Sequence, residues 1–391
     1  MIEFNPYDYQ VHEDPFPLYA RLRDEAPVYR NEALDFWALA RHADVMAAFK
    51  DAKRYSNRFG VSIDPSAYGP HARFGTSFLA MDPPDHTRMR ALVSRGFTPR
   101  RVKGMAPRIR ELCVEHLDRL RGADSFDVIA DFAGKLPMDV ISEMLGVPQP
   151  DRDDLRAWAD LLVHREEGMM DVPPEGAEAF GKIREYFEAL IEERRRAPGD
   201  DLLSALLELS GGGEDHLSMS ELLGFCNLMI VAGNETTTKL LANALYWLDR
   251  NPDQRERLTR GDVTMSQWVE ETLRFDNSTQ MLVRTLDADT TIEGVAIPKG
   301  ARMLLLVGSA NRDERVFERP EEYDLGRDCS RMLSFGHGTH FCLGAALARL
   351  EGEIALEEWW KRFPDYHIEE EGASRVHSVN VRGFAKLPVA I

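Results

Sequence analysis

The chain has 391 residues, 48 basic and 66 acidic side chains, 43% apolar residues and four cysteines, a globular composition rather than a disordered, fibrous or disulfide-rich one. Its net charge of -18 opposes a phosphate backbone, so counterion release gives no affinity for nucleic acid. The opening MIEFNPYDYQ has neither basic leader nor apolar core, and no apolar run approaches the roughly 18 residues of a membrane span, so the expectation is a cytoplasmic protein without one.

Helical periodicity marks segments 15–26, 40–50, 86–122, 134–146, 151–163, 174–197, 201–210, 218–250, 264–275 and 343–363. Strand-like stretches are few: Val28-Tyr29, Phe36-Ala38, Gln280 to Ile297, Met303 to Val307 and the carboxyl end. The expected fold class is therefore mainly α with small β-sheets. The breaks at Pro173-Pro174 and Gly211-Gly212-Gly213 are too short for interdomain linkers, so residues 1–391 read as a single large domain.

The longest helical segment starts with Ser218 and Glu221 at capping-box spacing and stops before Pro252. About 32 residues at 1.5 Å each give roughly 48 Å, enough to cross a domain as its central helix. Its apolar run is interrupted at Ala232, Gly233, Asn234, Glu235, Thr236 and Thr237. Glycine costs about 1 kcal/mol in a helix interior, and a threonine hydroxyl can bond back to the preceding turn. An exposed, solvated face would explain these residues, but the apolar flanks argue against it.

Cys113, Cys226, Cys329 and Cys342 form no CxxC pair and no zinc-ligand spacing. Cys113 and Cys226 read as small buried hydrophobes and Cys329 as an ordinary loop residue. Cys342 differs. Residues 334–351, SFGHGTHFCLGAALARLE, place it after a glycine-rich turn and before an amphipathic helix, where unpaired N–H groups and the helix dipole favour a thiolate. Phe335, Gly336, Gly338, Cys342 and Gly344 match F-G-x-G-x-x-x-C-x-G, a coincidence expected by chance about once in ten thousand chains of this composition.

This loop resembles the haem-binding loop of the cytochrome P-450 superfamily, the haem-thiolate monooxygenases, whose cysteine is the proximal iron ligand. The resemblance implies a single P-450-type domain with a long central helix over haem b (iron protoporphyrin IX), and Cys342 as the metal ligand. Phe335, Gly336 and Gly344 would then be cofactor contacts. The family's [AG]-G-x-[DE]-T motif is matched by Ala232 and Gly233, placed against the cofactor, and by Glu235 and Thr236, a catalytic pair that relays protons during O2 activation. Its E-x-x-R motif is matched by Glu271 and Arg274, with Arg327 as the expected third partner of a structural triad and Arg319 the weaker candidate.

Haem brings two carboxylates that need cationic partners. The family's D-P-P-x-H-x-x-x-R segment appears as Asp82, Pro83, Pro84, His86 and Arg90; Arg284 and His340 complete the expected propionate set. A surface cation would account for any one of them alone, but not for their joint placement.

Residues 88–110 carry Arg88, Arg90, Arg95, Arg100, Arg101, Lys103, Arg108 and Arg110 with no acidic residue before Glu111. A solvated helix face is the usual fate of such a run, yet a local basic patch can also steer an acidic partner. In the family this region flanks the cysteine side of the haem. The resemblance therefore implies a ferredoxin, served by a ferredoxin reductase and NAD(P)H, docking near Arg100, Arg101 and Lys103.

The implied function is a monooxygenase that uses O2 and electrons from separate redox partners to hydroxylate, epoxidise or dealkylate a mostly apolar small organic molecule. Pocket walls are expected from segments 59–78 and 161–180, the central helix near Ile230 and Val231, the stretch 281–283 and the carboxyl-terminal turn, with Phe78, Ile230, Val231, Val283 and Phe384 as candidates. Peroxygenase, isomerase or dehydratase chemistry on the same fold would also keep Cys342, as would a non-catalytic haem-binding or gas-sensing module. A cysteine hydrolase using Cys342 with His337 or His340 would need no haem, but those histidines fit the loop and propionate roles better.

Overall fold

The long helix of the computed structural model runs from Met219 to Asp249, and its start shows the reciprocal cap that the sequence spells out. The Glu221 N–H donates to Ser218 Oγ at 3.2 Å, and the Ser218 N–H donates to the Glu221 carboxylate at 2.9 Å. At 1.5 Å per residue its 31 residues span about 46 Å. The structure describes residues 2–209 and 217–391; the Gly211-Gly212-Gly213 break lies outside the described residues. Helices Leu136–Leu145, Arg152–Val163, Met265–Phe275 and Ala345–Arg362 all pack against the long helix, which is therefore central.

The body is mainly helical with small sheets, as the periodicity predicts. The largest sheet orders its strands Val28–Asn31, Phe36–Leu39, Arg302–Leu306, Met281–Leu286 and Tyr55–Ser56. Only the Phe36–Leu39 and Arg302–Leu306 pair is parallel; Trp37 sits opposite Met303 and Leu39 opposite Leu305. The carboxyl end closes a second sheet, with Pro388–Ala390 between Ser125–Asp127 and His367–Ile368. Among the described residues no helix is long and apolar enough to cross a membrane.

Several elements differ from their expected form. The segment 86–122 is not one helix: Asp85–Val93, a tight turn at Ser94–Phe97, Pro99–Gly104 and Ala106–Asp118 follow one another. Pro99 and Pro107 lack the N–H a continuing helix needs and are preorganised for a first turn, so each starts a new helix. Pro252 likewise opens a helix, Pro252–Arg260, absent from the sequence reading. The stretch from Gln280 to Ile297 is three strands, because Glu293 and Gly294 turn the chain with φ of 49° and 79°.

Candidate functional site

The Cys342 loop is tied down from below. Leu333 N–H donates to Asn311 Oδ1 at 2.7 Å, the Asn311 amide donates to Ser334 Oγ at 2.8 Å, and that hydroxyl donates to the Leu273 carbonyl at 2.5 Å. Gly336 and Gly338 then turn with φ of 65° and 70°, the left-handed region, and a Cβ at Gly338 would stand 2.7 Å from the Phe49 carbonyl oxygen. Cys342 N–H closes the loop on the Phe335 carbonyl at 2.9 Å. Cys113, Cys226 and Cys329 are buried, whereas Cys342 keeps accessible surface. Its thiol lies deep enough that burial pushes its pKa up, while the N–H groups of Gly344 and Ala345 and the guanidinium groups of Arg90 and Arg349 pull it down. A Cβ at Gly344 would meet nothing within 4 Å, so the space there stays open.

Glu271, Arg274 and Arg327 converge beneath this loop. Arg274 donates to both Glu271 oxygens, at 2.8 and 2.7 Å, with neither side chain exposed. Its remaining N–H groups reach the carbonyls of Asn311 and Pro320 at 3.0 Å. Arg327 Nε lies 3.4 Å from Glu271. Arg319 contributes its carbonyl to Arg327, while its own side chain pairs with Glu322 at the surface. Cys329 is not an ordinary loop residue: its thiol donates to Glu271 at 3.4 Å and burial pushes its pKa up. No signal in the sequence marked that contact, because the thiol and the carboxylate are 58 residues apart.

His86, Arg90, Arg284 and His340 also gather as expected, each within electrostatic reach of His340. The His86 and His340 rings lie 4.1 Å apart, and none of their four nitrogens has a hydrogen-bond partner among the described residues. Arg284 is 3% exposed and donates only to the neighbouring Val283 carbonyl, and Arg90 donates to the Phe341 carbonyl at 2.6 Å. Among the described residues neither arginine has a carboxylate ion-pair partner. Burial lowers the pKa of Arg284 to about 10, of His86 to about 4 and of His340 to about 2, the last also through the charges of Arg284, His86 and Arg90. Buried donors left without acceptors are costly, so this group fits an anionic ligand such as the propionates of a haem.

On the central helix, Glu235 and Thr236 are adjacent but bond differently. Thr236 Oγ1 donates to the Ala232 carbonyl one turn back at 2.8 Å. Glu235, 1% exposed, pairs with Lys239 at 3.2 Å and faces Asp160 of helix Arg152–Val163. Ala232 is exposed, and Gly233 packs against Ile141, whose side chain a Cβ there would approach to 2.8 Å.

Of the expected pocket residues, Ile230, Val283, Phe384 and Phe78 are 0%, 1%, 3% and 4% exposed, and Val231 is half-buried. The Phe384 ring packs against Tyr246 at 4.8 Å and under Arg375, some ten residues along the central helix from Thr236. Within the expected wall segments 59–78 and 161–180, Phe74, Leu161 and Met170 are exposed instead. The two segments are joined by a buried Arg165–Asp64 ion pair at 2.7 Å and by Ser66 donating its backbone N–H to Asp171 at 2.9 Å.

The basic stretch divides in two. Arg88 pairs with Glu221, Arg108 with Glu143 and Arg110 with Glu357 and Glu358, while Arg90 turns inward. Arg95, Arg100, Arg101 and Lys103 are exposed and have no carboxylate partner among the described residues. Arg95 lies in the Ser94–Phe97 turn and the other three on helix Pro99–Gly104, which packs on Ala345–Arg362, a helix that starts three residues after Cys342.

A family model, Cytochrome P450, matches residues 174–261 and 263–371. Cytochrome P450 123 of Mycobacterium tuberculosis is 52% identical over 99% of this chain and 96% of its own length. A vitamin D(3) 25-hydroxylase of Pseudonocardia autotrophica is 39% identical over 97% and 94%. The solved structure of CYP109E1 from Bacillus megaterium in complex with testosterone superposes with a TM-score of 0.90 at 32% identity, covering 98% of this chain and 99% of that one. The polyketide-synthase cytochrome P450 PksS of Bacillus subtilis gives 0.88 at 35% identity, with 99% of each chain covered.

Arg274→Ala leaves the Glu271 carboxylate buried beside Arg327 alone. The expected cost is about 3–5 kcal/mol, the range for removing one partner of a buried pair. A denaturant midpoint unchanged from the parent chain would contradict it.

Proposed function

The chain belongs to the cytochrome P450 family, and on that premise we propose that residues 1–391 form one cytoplasmic haem-thiolate monooxygenase domain acting on a mostly apolar small organic molecule. The observation that carries the reading is an accessible cysteine near two arginines that have no carboxylate ion-pair partner and two histidines whose ring nitrogens make no hydrogen bond, all among the described residues. Cys342 would hold the iron of haem b, and Arg90, Arg284, His86 and His340 would hold its propionates. Among the described residues no three His, Cys, Asp or Glu side chains converge as a metal site, which favours an iron that arrives with its own porphyrin donors. When bound, thiolate-ligated haem supplies O2 activation and transfer of one oxygen atom to the substrate.

The chain's own residues supply the rest. The Gly344 and Ala345 N–H groups and the charges of Arg90 and Arg349 stabilise the Cys342 thiolate. The Glu271–Arg274–Arg327 cluster, through Asn311 and Ser334, fixes where that sulfur stands. Both histidines are neutral at physiological pH and so keep one ring N–H each to donate to a carboxylate. Thr236 Oγ1 holds a proton against the Ala232 carbonyl and can turn it outward, and Glu235 is the acid that replenishes it. The exposed Phe74, Leu161 and Met170 favour an apolar substrate, in keeping with the testosterone bound in the Bacillus megaterium structure. Arg95, Arg100, Arg101 and Lys103 would dock an acidic ferredoxin, itself reduced by NAD(P)H through a reductase.

Incorporation of one atom of labelled O2 into product tests the reaction. Thr236→Ala is expected to consume electrons with several-fold less product per electron; tight coupling in that variant would refute the hydroxyl's role. Charge reversal of Arg100, Arg101 and Lys103 to Glu should slow ferredoxin-driven reduction by about tenfold or more at low salt, with the gap closing as salt rises. An unchanged rate and salt dependence would count against docking there.

A further inference from the structure

At the far end of the central helix, three arginines gather around one buried carboxylate. Asp276, 0% exposed, accepts from Arg382 Nε at 2.7 Å and from the Trp247 indole N–H at 2.8 Å, and Arg375 Nη1 stands 3.6 Å from it. Arg312 lies between the rings of Phe16 and Phe275, 3.4 and 3.7 Å from their centroids, and donates to the Phe275 carbonyl at 2.9 Å and to Glu321 at 2.6 Å. The three arginines, with Phe16, Tyr246 and Trp247, wall a cleft of about 630 Å³. Trp247 follows Thr236 by 11 residues, roughly 16 Å along the helix axis at 1.5 Å per residue, and none of the cleft's walls belongs to the Cys342 loop or the His340 cluster.

The positive charge here is not fully answered. Arg382 and Arg312 each reach a carboxylate, yet Arg312 Nη2 and Arg375 Nη1 have no hydrogen-bond partner among the described residues. The Arg375 side chain is 9% exposed; its guanidinium lies over the Phe384 ring at 4.4 Å, and burial, then the charge of Arg382, lowers its pKa to about 10. A ring face offsets only part of the cost of taking a cation out of water. The buried carboxylate of Asp276 is already engaged by Arg382 and Trp247, and the other acids of the cleft, Glu13, Asp14 and Glu321, are exposed. Negative charge therefore stands at the mouth, screened by water, while the unmatched cation stands within.

We propose that this cleft binds a small organic carboxylate, with its anionic end on Arg375 and Arg312 and its apolar body against Phe16, Tyr246 and Trp247. A guanidinium with N–H groups to spare matches a carboxylate fork to fork. The acidic mouth opposes a dianion, such as a phosphate monoester, more than it opposes a single charge. The aromatic walls supply the apolar contact that small-molecule clefts use beside a few placed polar groups. Arg375 packs on Phe384, and Arg382 donates to the carbonyls of His12 and Glu13, so an occupant ties the carboxyl-terminal strands to the amino-terminal helices. Stability then rises with ligand concentration.

Calorimetry and thermal melts of the haem-loaded enzyme with benzoate test the site, with benzamide as the uncharged analogue and phenyl phosphate as the dianion. Benzoate is expected to bind one per chain, to raise Tm and to leave the Soret band in place. Benzamide and phenyl phosphate should each bind about tenfold more weakly or worse. In Arg375→Met the benzoate affinity should fall by about tenfold or more. The ligand-free variant should melt no lower than the parent, because Asp276 keeps Arg382 and Trp247. Arg375→Lys retains the charge and should recover part of the affinity, and the benzamide comparison stands on the parent chain alone. Absence of saturable benzoate binding, benzamide binding as tightly as benzoate, or a preference for phenyl phosphate overturns the proposal. So does benzoate binding unchanged in Arg375→Met; a shifted Soret band would then place the ligand above the haem.

Discussion

Glu271 and Arg274 face each other with both hydrogen bonds of a guanidinium fork made and neither side chain exposed to solvent, and the Cys342 loop hangs from that pair. Arg274 spends its other donors on the Asn311 and Pro320 carbonyls, Asn311 holds Leu333 and Ser334, and Ser334 returns to the helix that carries Arg274. Desolvating two full charges is expensive, so the arrangement exists only because each lone pair and N–H finds a partner. Its product is positional. A ligand sulfur must stand at one place, and an isolated glycine-rich loop has too much freedom to hold it there.

Above that anchor the logic inverts, since among the described residues Arg90 and Arg284 have no carboxylate ion-pair partner and the ring nitrogens of His86 and His340 make no hydrogen bond, a condition that a chain selected for stability alone would remove. The two halves differ as scaffold and site commonly do: satisfied charges where rigidity is needed, unsatisfied ones where a ligand supplies the missing partner.

Local patterns were legible in the sequence. The capping box at Ser218, the Glu271–Arg274 spacing, the glycines before Cys342 and the His86/Arg90 pair each depend on residues within a few positions of one another, where helix and turn geometry dictates who meets whom. Arg327 was readable over Arg319 only as a preference; the structure decides it because Arg319 offers a carbonyl where Arg327 offers its side chain. Contacts between distant segments were not legible: Arg165–Asp64 and Cys329 with Glu271 bring together residues 101 and 58 positions apart. The exposure of the pocket candidates was not legible for a different reason. Ile230 and Val231 are equally apolar, and a helix turn of about 100° per residue, invisible in composition, sends one into the core and leaves the other at the surface.

The central claim is that Cys342 presents a thiolate to haem iron. The absorption spectrum of the purified protein, reduced with dithionite and then exposed to carbon monoxide, tests it directly. A strongly red-shifted Soret band is the predicted result, and its loss in Cys342→Ser would assign the ligand. A band at the ordinary haem position, or no haem band in protein produced with ample haem, would contradict it.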